Sequence, residues 1–318
     1  MSLMCYILIL CVITLVINNI YMLQEDKNNC GTMQDIKNDK AVIKNVPKGI
    51  SICNFGSSHG FYGFDYEVMK EEQICFNFAL PSQTLSYDYR ILENYQDNIK
   101  EDAVIFIVVS YFSCFGKPET EDDQFEAKNK RYYKFLSQDF IKVYDRKTSF
   151  YINYVPALLE NDIIRLIKSL FGTNMDADMW NMVTDKKMLE QQAYRTYIGH
   201  IKHKLNEDGK RLYNQEEISA LYDMINFCKK RNITPILITT PYLSEYILQI
   251  KENDATFFDD FYSVLNQVVY DTGVQYYDYS ADTRFNHDYS LFFNPDHLNR
   301  SGAEKFTSIL QEEILVSD

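Results

Sequence analysis

Two short segments far apart in the sequence carry residue types that can do chemistry together. The first, ISICNFGSSHGFYGFDYEVM, runs from an apolar, β-branched stretch into Gly56-Ser57-Ser58-His59. A serine on such a turn is held above the edge of a sheet, and if a helix follows, its first amides and dipole favour developing negative charge. Those are the requirements of acyl transfer through a serine. The plainer reading of the same turn is a helix cap made by Ser57 or Ser58. The second segment, LFFNPDHLNRSGAEKFTSIL, places His297 in a loop before an amphipathic helix, with Asn294 three residues upstream and Asp296 immediately before it. A histidine close to a serine takes its proton when a third group fixes the tautomer and orientation of the imidazole. Asn294 or Asp296 is that group: an asparagine orients imidazole, whereas a carboxylate also stabilises imidazolium. Of the other histidines, His200 and His203 (HIKH, with basic neighbours) read as solvated, and His287 as part of a polar turn.

The elements that must position these residues are legible as five short apolar runs. GISICNF, QICFNFAL (73–80), AVIFIVVSYF (103–112), TPILITTPY (234–242) and VQYYDYS (274–280) read as buried strands. ISALYDMINFCKKRN precedes the fourth and has the spacing of an amphipathic helix with basic residues in its last turn; DDFYSVLNQVVYDTG precedes the fifth and ends on a glycine stop. Strands alternating with helices predict βαβ units and a mainly parallel five-stranded sheet covered on both faces. Between the third and fourth strands about 100 residues, from Phe115 to roughly Gln215, are rich in Tyr, Lys and Asp and predict a helical insertion. Insertions at the carboxyl ends of parallel strands shape the cleft where open α/β sheets bind ligands.

Composition narrows the class further. Of 318 residues, 46% are hydrophobic and 15% aromatic, with 25 Tyr and 21 Phe, enough to fill a core and to exclude global disorder. A net charge of −13 without any basic run argues against a nucleic-acid partner, which needs a basic face to displace condensed counterions. The seven cysteines form no Cys-x-x-Cys pair and have no nearby histidine, so neither a structural metal nor a disulfide framework is expected; Cys53, Cys75 and Cys114 read as core thiols. Residues 1–24 carry no charge and include MCYILILCVITLVI, and a helix of roughly 20 apolar residues spans a bilayer. With no basic leader or small-residue cleavage site in view, this segment reads as an uncleaved transmembrane signal-anchor, followed by a polar linker over 25–48 and a folded domain over 49–318.

Gly56-Ser57-Ser58 and the Asn294 to His297 segment together resemble the SGNH (GDSL-like) hydrolase superfamily, whose short N-terminal motif carries the serine and whose C-terminal motif is Asp-x-x-His. The resemblance covers roughly residues 49–318 in the order and spacing of elements. It is closest to the membrane-anchored branch similar to the proteins of teichoic-acid D-alanylation and polysaccharide O-acetylation, where Gly-Asp-Ser is commonly Gly-Ser-Ser. It implies Ser58 as nucleophile and His297 as base and then acid, with Asn294 at the family's aspartate position. The stretch from Asn77 to Thr84 looks like the second block, Asn-x-Gly-x-x-Gly-Asp-Thr, with both glycines replaced. Ser82 stands where the second glycine gives a backbone N–H to the oxyanion hole, alongside Ser58. The third block, Gly-x-Asn-Asp, corresponds to Ser110-Tyr111-Phe112-Ser113 and lacks the oxyanion-binding asparagine, leaving Tyr111 or Ser113 to replace it.

The resemblance implies a three-layer α/β/α, flavodoxin-like domain. It also implies an extracytoplasmic, single-pass membrane protein acting as a serine O-acyltransferase or esterase on a cell-envelope polysaccharide or teichoic-acid-like polymer. Neither a metal nor an organic cofactor is required. The altered second and third blocks support an alternative, a non-catalytic partner of a membrane-bound O-acyltransferase, because fold and motif alone do not establish activity.

Overall fold

A computed structural model of the chain describes residues 46–69, 73–118 and 184–315, with three isolated positions between the last two segments. The expected anchor over 1–24, nearly all of the linker and the middle of the expected helical insertion lie outside the described residues. Among the described residues no helix is long and apolar enough to cross a membrane.

Residues 47–118 and 184–315 belong to one compact unit. Its strands are β1 (Ile50–Phe55), β2 (Cys75–Asn77), β3 (Ile99–Val108), β4 (Thr234–Thr239) and β5 (Gln275–Asp278). They form one sheet in the order β2-β1-β3-β4-β5, and every neighbouring pair is parallel. The described helices are α1 (Ser58–Gly63), α2 (Leu85–Asn94), α3 (Lys186–His200), α4 (Gln215–Lys230), α5 (Ser244–Asn253), α6 (Phe257–Thr272) and α7 (Arg300–Leu310). The protein is thus of the α/β class, with a five-stranded, all-parallel sheet flanked by helices, as the apolar runs predict.

Burial on both faces explains why those runs are almost continuously apolar. Alternate side chains of a strand point to opposite faces. On one face Ile52, Phe106, Val108, Ile236 and Ile238 join Phe306, Ile309 and Leu310 of α7 in a single cluster. The opposite parity, Cys53, Phe55, Ile105, Ile107 and Leu237, is fully buried as well, with α4 against β4 and packed in turn on α2 and α6.

Two strand boundaries differ from the sequence pattern. β2 is shorter than QICFNFAL because side chains take over its next ladder bond: the Gly56 N–H donates to Asp88 Oδ1 at 2.9 Å, and Gln83 Nε2 donates to the Phe78 carbonyl at 3.0 Å. β3 starts earlier, inside the charged NIKED segment, where a register shift against β1 and a left-handed Asp102 (φ 63°) absorb the extra residues. Both changes leave the carboxyl ends of β1 and β3 in place. There the connections depart in opposite directions, to β2 and to β4, and that divergence opens the crevice in which parallel sheets bind ligands. Gly56 to His59 follow β1 and Ser110 follows β3.

Candidate active site

Gly56 turns the chain from β1 into α1. Its φ is +138°, and a Cβ there would lie 2.8 Å from Val108 Cβ and 3.1 Å from the Val108 carbonyl, so the end of β1 can approach β3 this closely only with glycine. The Gly56 N–H donates to Asp88 Oδ1 at 2.9 Å, and Gln83 Nε2 donates to the same oxygen at 2.6 Å. Below the turn, Asn54 Nδ2 donates to Asn77 Oδ1 (3.0 Å) and to the Gly60 carbonyl (3.1 Å), while Asn77 Nδ2 reaches the Gly60 and Phe61 carbonyls. These buried amides bind α1 to the ends of β1 and β2, and Ser58 is the first residue of that helix. Neither serine uses its hydroxyl as a cap: Ser57 caps α1 by position without a side-chain bond.

The second half of the site is a tight antiparallel hairpin, β6 (Phe292–Asn294) with β7 (His297–Leu298), in which Asn294 pairs with His297. Asn294 Oδ1 accepts the backbone N–H groups of Asp296 (3.2 Å) and His297 (2.8 Å) and so shapes the turn. Asn299 then caps α7 by accepting Gly302 N–H at 3.0 Å. A Cβ on Gly302 would sit 2.2 Å from the Leu291 carbonyl, so this glycine lets the helix close on the hairpin. Thr307 Oγ1 on α7 accepts the Asp65 N–H at 3.0 Å, tying the helix to the chain just beyond α1.

These supports bring Ser58 Oγ to 2.7 Å from His297 Nε2. On the other ring nitrogen, Asn294 Oδ1 lies 2.9 Å and Asp296 Oδ1 3.0 Å from Nδ1. The two backbone N–H groups on Asn294 Oδ1 fix that atom as the oxygen of the amide, so both partners of Nδ1 are acceptors. Nδ1 therefore carries the proton, and Nε2 presents its lone pair to the Ser58 hydroxyl. The ring is held further by Phe293, stacked at 5.5 Å, and by the edge contact of Tyr62 at 5.6 Å. Asn294 and Asp296, alternatives in the sequence, both orient His297.

Behind Asp296 lies a part of the site that the motifs do not announce. Asp296 is buried, and its second oxygen, Oδ2, is 2.9 Å from His59 Nε2. His59 Nδ1 is 2.7 Å from Ser110 Oγ, which is 3.0 Å from Ser57 Oγ, and Tyr242 OH is 3.4 Å from His59 Nδ1. Burial, with His297 close by, lowers His59 to a pKa of about 4 against the pull of Asp296, so it is neutral. Burial by itself would raise Asp296, but His297 and His200 outweigh it and hold the carboxyl well below its usual range. An anionic Asp296 requires the proton of His59 on Nε2, and Ser110 then donates to Nδ1. Ser57, Ser58 and His59, three consecutive residues, are thereby linked through Ser110, Asp296 and His297.

His200 is a correction to the sequence reading. It is only half-exposed: its Nδ1 lies 2.9 Å from Asp296 Oδ2, off the line of a hydrogen bond, and its ring packs on Phe112 at 4.9 Å. The signal was available, since Leu189, Ala193 and Tyr197 are buried at helical spacing and His200 continues their stripe. His203 and His287 are exposed as expected, the latter 3.0 Å from Ser244 Oγ. The absence of a metal site was expected from cysteine spacing alone, which is blind to ligands drawn from distant segments; His59, His200 and Asp296 form a group able to hold a cation.

Of the remaining residues singled out, Ser82 occupies the third position of a turn closed by Gln83 N–H to the Leu80 carbonyl at 2.9 Å, with Pro81 second. Its φ is 58°, the left-handed value that position of a type II turn demands and that a glycine meets without strain. Leu80 N–H donates to the Gly56 carbonyl at 3.2 Å and ties this turn to the serine loop. Tyr111 is buried among Tyr242, Phe257 and Phe261, and Ser113 Oγ accepts Ser110 N–H at 3.0 Å. In the segment compared with the third block, Ser110 is hydrogen-bonded to His59 and Phe112 packs against His59 and His200. No protein-family model matches the sequence, and comparison with curated proteins finds no match.

Proposed function

We propose that the chain is a serine-dependent O-acyltransferase or esterase of the SGNH type. The observation that carries this reading is the 2.7 Å approach of Ser58 Oγ to the unprotonated Nε2 of His297, backed by Asp296 and Asn294 on Nδ1. Ser58 Oγ attacks the carbonyl carbon of an acyl ester as its proton passes to Nε2. The imidazolium, stabilised by Asp296, returns that proton to the departing alcohol and leaves Ser58 acylated. An acceptor hydroxyl, from a sugar or from water, then loses its proton to Nε2 as it attacks the acyl group, and Ser58 is regenerated. The backbone amides of Ser58 and Ser82 are the oxyanion donors of this scheme, which the tie between the Ser82 turn and Gly56 favours.

The strand order supports the same reading, since it is that of flavodoxin-like doubly wound sheets with a ligand crevice beside the first strand. On this proposal residues 49–318 are a three-layer α/β/α domain with a helical insertion. They are held outside the cytoplasm by an anchor over 1–24, and the acceptor is a cell-envelope polysaccharide or teichoic-acid-like polymer. The reaction as written needs no organic cofactor. The test is to expose the detergent-solubilised full chain to a fluorophosphonate probe and to a small acetyl ester. Labelling at Ser58 with ester turnover, both lost in Ser58→Ala, is the expected result. A folded wild-type protein showing neither would shift the reading to a non-catalytic partner of a membrane-bound O-acyltransferase.

A further inference from the structure

We propose that His59, His200 and Asp296 form a binding site for a divalent transition metal of the zinc class, and that filling it silences Ser58. The site itself stands on geometry; the silencing rests on the acyl-transfer reading above. The donors are His59 Nε2 and His200 Nδ1, each 2.9 Å from Asp296 Oδ2, and all three lie within 4.8 Å of one another. Two imidazoles and one carboxylate with an open position are a ligand set of three-ligand zinc sites and of other borderline metals. Tetrahedral metal–ligand bonds of about 2.0–2.2 Å set donor atoms roughly 3.3–3.6 Å apart, so each nitrogen would draw back from Asp296 Oδ2 by about half an ångström as the metal enters. Half-exposed His200, at the end of α3, has the freedom to do so.

Two details favour a cation over a simple clamp on the carboxylate. His200 Nδ1 is shielded from water yet makes no hydrogen bond, although a carboxylate oxygen is within reach. A shielded ring nitrogen that meets its carboxylate neighbour out of hydrogen-bond alignment is poorly satisfied, and a metal bond at a point between the donors would satisfy it. His59 is also built as metal-bound histidines are: its other nitrogen, Nδ1, is held by Ser110 Oγ at 2.7 Å, which fixes the ring. His59 would then move its single proton from Nε2 to Nδ1, which donates to Ser110, and Nε2 would exchange its hydrogen bond to Asp296 for a bond to the metal.

The effect on chemistry follows from sharing. Asp296 would face the metal through Oδ2 and His297 through Oδ1. A cation bound at Oδ2 would draw the Asp296 carboxylate off its 3.0 Å contact with His297 Nδ1 and so disturb the ring, centred 4.6 Å from that of His59, that aligns Ser58. Zinc-class metals would thus act as reversible inhibitors, whereas magnesium and calcium, which prefer oxygen ligands, would not compete.

The experiment titrates the chelator-stripped full chain with zinc against a chromophoric competitor. One zinc per chain is expected in the wild type and in Ser58→Ala, with affinity at least tenfold weaker in both His200→Ala and His59→Gln and no displacement by magnesium. Ester turnover measured with and without saturating zinc should differ at least tenfold in the wild type and by much less in His200→Ala. No stoichiometric zinc, or equal affinity in the wild type and both histidine variants, overturns the site. Stoichiometric zinc that leaves turnover untouched overturns the silencing. A wild type without ester turnover overturns the acyl-transfer reading instead, and the Ser58→Ala titration still decides the metal site.

Discussion

On the proposed mechanism, Asn294 and Asp296 divide between them what one aspartate supplies in a Ser-His-Asp triad. Asn294 shapes the hairpin and receives Nδ1–H without charge, and Asp296 provides the charge from a buried position. Asp296→Asn should therefore lower ester turnover by on the order of 10³–10⁴, as loss of a triad carboxylate does, with little change in folding. Asn294→Ala strips two backbone donors of their acceptor, so it should cost about 1–3 kcal/mol in a urea titration and lower turnover more mildly. If the two variants behaved in reverse, the division of roles would be wrong. Ser58→Ala and His297→Ala should each remove several decades of turnover, and the double variant should be little worse than either, because the two groups act as a unit. Additive losses would show that they act separately. At this scale the sequence exposed Ser58 and His297 through their turns. It left Asn294 and Asp296 unresolved because a two-residue difference in a tight hairpin does not say which oxygen meets the ring. It missed His59 because a histidine beside the candidate serine is read as part of the turn.

The elements were legible in proportion to how apolar they are. β1 to β4 announced themselves through near-continuous apolar runs, as parallel strands covered on both faces do. Edge strand β5, exposed at Gln275 and Asp278, was legible from its tyrosines and the glycine stop before it. The limits of the strands were less legible: side-chain hydrogen bonds end β2 after Asn77, and Asp102 in a left-handed conformation carries β3 through a charged stretch that reads as a boundary. Gly56 is the hinge between strand and serine, and its variant is the sharpest test at this scale. Gly56→Ala combines an unfavourable φ with overlap against Val108 and should cost about 3 kcal/mol by denaturant midpoint. Because relief of the overlap must move the loop away from β3, fluorophosphonate labelling of Ser58 should fall as well. Wild-type labelling with unchanged stability would place the serine loop elsewhere. Ser82 shows how much of a motif can be backbone: it stands where the resembled motif has a glycine and adopts the left-handed conformation that favours one.

For the whole molecule, composition predicted a large core, and the thiols report on it. Cys53, Cys75, Cys114 and Cys228 are buried thiols. Burial pushes the Cys114 and Cys228 thiols up to about 12, and raises Cys53 well above its ordinary value. Since the thiolate is the reactive form, all four should stay unmodified when the native protein meets iodoacetamide at pH 8, and should react once urea is added, as read by peptide mass spectrometry. Labelling of any of them in the native state would mean that the core opens there. No local pattern shows that His59, His200 and His297 converge, because the three segments meet only after the sheet has assembled in its order. That order has a consequence for biosynthesis. Ser58 and His297 are 239 positions apart, and ribosomes add about 5–20 residues per second. The nascent polypeptide thus carries its serine for roughly 10–50 s before its base is translated. On the proposed chemistry the serine is, throughout that interval, an ordinary alcohol without the histidine that would activate it.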